Sequence, residues 1–166
     1  NLLGEKLFEY PQPYASEGLL PAKERISPFV ADSVYSMLGV VPNEGEKAID
    51  VLKRAASPEL HNAAAKEYFL SALLLDRRIV EFVNAVKDYY PETDACDLPK
   101  HYQEAIMLFE SIDSSAAMHV DNPEMAELFK AFRAMEREYD DYFVRGNYLR
   151  RHFGRTYWWY FLYGNM

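Results

Sequence analysis

At 166 residues, with 49% apolar side chains, the chain is long enough for one domain with a substantial core. Its net charge of −8 argues against a general nucleic-acid binder, which needs clustered Lys and Arg to neutralise phosphates. The one cysteine, Cys96, excludes an internal disulfide and a cysteine-based metal cluster, and the sequence has no run of about 18 apolar residues that would span a membrane.

Residues 1–28 contain Pro11, Pro13, Pro21 and Pro28, and are expected to form an irregular proline-rich arm. Residues 29–166 are expected to form a single all-α domain of about seven helices, closed by an aromatic-rich capping helix. Ser27-Pro28 is a helix start, and Gly39 is placed to end that helix. Asn43 is expected to cap a second helix running to about residue 56, with Ala48, Ile49, Leu52 and Ala55 on one side. A third helix over 58–75 carries the stripe Ala64, Ala65, Tyr68, Phe69, Ala72 and Leu73. A fourth over 79–89 turns Ile79, Phe82, Val83 and Val86 inward, and Pro91 ends it.

Leu98-Pro99 starts a fifth helix, with Tyr102, Ala105, Ile106, Phe109 and Ile112 inward. Residues 113–122 lack a period and read as a loop. Asn122-Pro123 caps a sixth helix. Its apolar steps, Met125, Leu128, Phe129, Phe132, Met135, Tyr139, Tyr142 and Phe143, predict one long rod ending at a Gly146-Asn147 turn. A final helix over 148–162 is expected to carry the aromatic run.

Tyr35, Leu38 and Gly39, followed by Ala48, Leu52, Ala55 and Pro58, resemble the two helices of a tetratricopeptide-type repeat. Tyr68 or Phe69, and the phrase Tyr102-Gln103-Glu104-Ala105-Ile106, extend that degenerate resemblance over roughly residues 29–112. It implies stacked antiparallel hairpins, with Ala48 and Ala105 at close helix crossings. The phrases at 98–105 and 153–160 are similar to the tail of an uncharacterised family of bacterial membrane proteins. That second resemblance implies a soluble tail on a membrane-anchored protein, and a start at Asn1 suits an excised tail.

No catalytic signature stands out. His61, His101, His119 and His152 lack metal-ligand spacing, although His101 and Glu104 share a helix face. The acidic run Glu136, Glu138, Asp140 and Asp141 lacks the alternating ligands and central Gly of a calcium loop, and reads as a solvated face offset by Arg133 and Arg137. Ser114-Ser115 has no nucleophile-elbow context, and Asp94 and Asp97 beside Cys96 disfavour a thiolate. No metal, cofactor or catalytic residue is assigned.

Charge is uneven: residues 142–166 carry +4 and residues 1–141 carry −12. Six of the seven residues from 157 to 163 are aromatic, more than one inward stripe can hold. Arg151, Arg155, Tyr157, Trp158, Trp159, Tyr160 and Tyr163 are therefore the candidate interaction surface, for a protein partner, a twin copy of the chain or a membrane surface. One Trp is expected against Phe132, Met135 or Tyr139, and the other exposed beside Arg151 and Arg155. The expected function is a non-catalytic helical-repeat domain mediating protein–protein contact. The alternative is a sensor or enzyme-accessory domain that binds a small molecule in a helical groove.

Overall fold

A computed structural model describes residues 38–113 and 118–165. The expected arm over 1–28, most of the helix expected to end at Gly39, and Ser114-Ser115 lie outside the described residues. The rest is all-helical, with seven α-helices and no strand among the described residues. The chain divides between Phe69 and Leu70 into two compact units.

In the first unit, Leu38 is helical and Gly39 follows at φ 71°, the left-handed geometry that ends helices. Helix α1 (Ala48–Ala55) buries Val51 and Ala55. Its N-cap is Lys47, with no side-chain cap bond, so Asn43 does not cap it. Asn43 instead closes a turn in which its N–H donates to Glu46 Oε2 at 2.8 Å. Arg54 forks onto both oxygens of Glu46 and also donates to the Val41 carbonyl, each at 2.8 Å. Its guanidinium holds the Glu46 carboxyl below the usual carboxylate range. The expected crossing at Ala48 is corrected: that residue is exposed, because the buried face of α1 runs through Val51 and Ala55 instead.

The helix expected from residue 58 is also corrected. Pro58–Leu60 is a single 3-10 turn, and His61 at φ 47° breaks the chain direction. The Asn62 side chain then accepts from the Ala65 N–H at 2.9 Å and starts α2 (Ala63–Leu75). Ala65, Phe69, Leu70, Leu73 and Leu74 are buried, whereas Tyr68 is 42% exposed.

In the second unit, α2 ends in a Schellman motif. Arg77 takes φ 58°, its N–H donates to Leu74 O at 3.1 Å, and the Arg78 N–H donates to Leu73 O at 2.9 Å. Helix α3 (Ile79–Tyr89) buries Ile79, Phe82, Val83 and Val86, the four residues its spacing predicts. Helix α4 (Lys100–Ile112) is buried continuously from Tyr102 to Leu108. A helix buried all round is central, and α4 packs against α3 on one side and against α7 (Tyr157–Tyr163) on another. Ile112, expected inward, is exposed at the end of α4.

Helix α5 (Pro123–Glu136) begins as expected: the Asn122 side chain accepts from the Met125 N–H at 3.1 Å, with Pro123 in the first turn. The long rod does not continue to Phe143. It breaks over 137–141, and the Asp141 side chain accepts from the Val144 N–H at 2.8 Å to start α6 (Tyr142–Phe153). Gly146 and Asn147 lie within α6 rather than in a turn. Thr156 caps α7, so the expected helix over 148–162 is two helices separated by a break at 154–156. Helix α5 packs on α6, and α6 on α7.

Candidate interaction surface

The aromatic run folds as α7, and its side chains have three different environments. Trp158 is fully buried; its ring centroid lies 4.8 Å from Phe129 and 5.9 Å from Phe132, and its Nε1–H donates to Glu104 O at 2.8 Å. Tyr157 is buried and donates from its hydroxyl to Leu74 O at 3.1 Å, while Tyr160 donates to Leu75 O at 2.7 Å. The two hydroxyls thus bond carbonyls in the last turn of α2, Leu75 O and Leu74 O, the second of which also accepts the Arg77 N–H. Tyr163 is buried and donates to Glu136 Oε1 at 3.0 Å. Burial, then the Glu136 carboxylate, pushes the Tyr163 phenol up to about 12. Burial also raises Tyr157 strongly.

Tyr157, Trp158 and Tyr163 are therefore removed from the candidate contact surface. An aromatic run can be largely internal when its helix is packed on two sides, here by α4 and α6, and when each polar tip finds an acceptor. Trp159 and Tyr160 are half-buried. The Trp159 Nε1–H donates to Gly146 O at 2.8 Å, and the Arg150 guanidinium lies 5.6 Å from its ring centroid. Arg77 lies 5.1 Å from the Tyr160 ring centroid. Arg151 and Arg155 are exposed, as expected.

The largest apolar exposure near this region falls on Phe143, which the helical spacing places inward, and on its neighbour Val144. Phe143 is 62% exposed and Val144 51%. In α6, Gly146, Leu149 and Phe153 form the buried face, at steps of three and four. Phe143, Val144, Asn147, Arg150 and Arg151 occupy the opposite, exposed face. The missed signal was Asp141: as an N-cap it restarts the helix and shifts the phase of everything after it.

The burial of two polar side chains, Gln103 and Glu104, has no signal in the helical spacing. Gln103 Nε2 donates to Cys96 O and Leu98 O, each at 2.8 Å, and its Oε1 accepts from Asn122 Nδ2 at 3.0 Å. Glu104 is fully buried. Its Oε2 accepts the Tyr157 N–H at 2.8 Å and lies 2.9 Å from His101 Nδ1, while Lys100 Nζ lies 3.7 Å from Oε1.

The remaining candidates stay apart. Among the described residues no three His, Cys, Asp or Glu side chains group to hold a metal ion. His119 pairs with Glu110 at 2.8 Å. In the acidic run, Glu136 pairs with Arg133 at 2.7 Å. Burial, then Asp94, raises the Cys96 thiol, whose Sγ donates to Asp121 O at 3.1 Å. No described helix is long and apolar enough to cross a membrane.

The chain belongs to a family of unknown function, DUF6057, whose model matches residues 44–164 and so spans all seven helices described above. No curated protein and no solved structure gives a significant match.

Proposed function

We propose that this DUF6057 member is a non-catalytic helical-repeat domain that contacts another protein through the outer face of α6 and the basic shoulder beyond it. The observation that carries this reading is the coexistence on one exposed face of two large apolar side chains, Phe143 and Val144, with Arg150 and Arg151. Aromatic and Arg side chains supply most of the energy at protein contacts, and a surface Phe left in water is a cost that binding removes. The resemblance of the phrases at 98–105 and 153–160 supports a membrane tether elsewhere in the full-length protein.

The test is a photo-crosslinking amino acid in place of Phe143 in cells that make the protein, with one in place of Lys130 as the exposed control. A discrete protein adduct from position 143 alone is expected. Equal labelling from both positions, or none from 143, overturns the reading.

A further inference from the structure

The outer face of α6 changes charge along its length. Glu138, Asp140 and Asp141 are exposed just before the helix; Phe143 and Val144 follow in its first turn; Asn147 is central; Arg150 and Arg151 lie in its last turn, with Arg155 just beyond. Among the described residues, no ion pair engages Glu138, Asp140, Arg150, Arg151 or Arg155. The face is thus acidic at one end and basic at the other.

Such a face is complementary to itself when two copies run antiparallel. A two-fold axis at Asn147 sets Phe143 against the second copy's Arg151, and Val144 against its Arg150, because each member of a pair is equally distant from residue 147. The acidic residues just before α6 and the second copy's Arg155 just beyond it then fall at the same end of the pair. Arg stems cover apolar side chains while their charged heads stay in water, and a guanidinium over the Phe143 ring adds a cation–π contact. Antiparallel helices also oppose their dipoles favourably.

We propose that the partner at this surface is a second copy of the chain, paired through α6 across that axis. The inference rests on the functional reading above and names its partner. An anionic membrane or a nucleic acid would meet Glu138, Asp140 and Asp141 directly beside the apolar residues, on a chain of net charge −8. A uniformly acidic protein would satisfy the arginines alone. Only a surface with both signs in reverse order satisfies both ends, and the chain itself carries one. α6 has 12 residues and is about 18 Å long, so the contact falls in the small, reversible class and its dissociation constant is expected in roughly the micromolar range.

The test is sedimentation velocity of the full chain from about 5 to 500 µM, a range that brackets such an affinity. A concentration-dependent dimer, weakened by salt, is expected. The double variants Glu138→Lys/Asp140→Lys and Arg151→Glu/Arg155→Glu alter exposed side chains, and circular dichroism checks that each still folds. Each alone should dimerise at least about tenfold more weakly, since like charges then meet at both ends. Mixed in equal amounts, they should form a heterodimer at least as tight as the parent. A parent that stays monomeric, variants that dimerise like the parent, or a mixture that does not associate each overturns the proposal. An adduct from position 143 with a different polypeptide, in a chain that sediments as a monomer, overturns this proposal and leaves the functional reading standing.

Discussion

Glu104 Oε2 accepts the backbone N–H of Tyr157, 53 residues away, at 2.8 Å inside the fold. That N–H belongs to the first turn of α7 and has no partner within the helix. Glu104 therefore decides whether α7 can begin where it does. The next residue of α7 is tied to the same position, since the Trp158 indole donates to Glu104 O.

Replacing Glu104 with Leu strands the Tyr157 N–H in the interior. Such a loss costs on the order of 1–3 kcal/mol, whereas Glu104→Gln keeps an acceptor and should cost less. Urea denaturation measures both. A Leu variant as stable as the parent would mean the bond contributes nothing net.

Ala105 is fully buried on α4, while Ala48 is exposed on α1. Ala105→Leu should overpack the interior and cost about 1–3 kcal/mol. Ala48→Leu should stay within about 0.5 kcal/mol of the parent. Thermal melts of the two variants compare them directly, and equal shifts would contradict the burial pattern.

The two tryptophans should separate in fluorescence. Trp159→Phe leaves Trp158, buried against Phe129 and Phe132, with blue-shifted emission and little quenching by acrylamide. Trp158→Phe leaves the half-buried Trp159, which should be clearly more quenchable. Equal quenching constants in folded variants would rule out this arrangement.

His119 and Tyr163 are both raised, so their linkages to stability have the same sign. Hydrogen bonding to Glu110 raises His119. Its contribution to stability is complete below the unfolded value of about 6.5 and is lost as pH rises through the higher folded value. NMR titration should show His119 above that reference, and Glu110→Gln should return it. Tyr163 is pushed up to about 12, so its contribution is complete below the unfolded value of about 10 and is lost between the two. Tyrosinate absorbance should fall by one residue's worth in Tyr163→Phe only at the alkaline end of the curve.

Sequence periodicity sufficed for α3, because one clean stripe lies between two chain breaks, the Arg77-Arg78 turn and Pro91. It failed between α5 and α6 for a physical reason. Apolar residues continue at helical steps from Phe132 to Phe143, so the pattern conceals the interruption, and Asp141 was read with its acidic neighbours as a solvated charge rather than as a cap. Gln103 and Glu104 were illegible because the groups that make their burial tolerable include Asn122 and Tyr157, which are distant in sequence. Of the candidate surface, the two arginines were legible as exposed from charge alone. The packing of one Trp on Phe132 was legible, and Trp158 takes that place; the burial of Tyr157 and Tyr163 was not, because burial of an aromatic run depends on how many neighbours surround its helix.

The hydroxyls of Tyr157 and Tyr160 reach carbonyls 83 and 85 residues earlier in the chain. Helical proteins usually fold fast because their contacts are local, and these are not. With seven residues, α7 is too short to persist by itself, so it forms only on a surface that α4 and the end of α2 have already built. Completion of the second unit should therefore be a late kinetic event. Until then the carbonyl of Leu75 remains open to water, the Leu74 carbonyl holds only the Arg77 N–H, and the backbone at 154–156 is open to proteases.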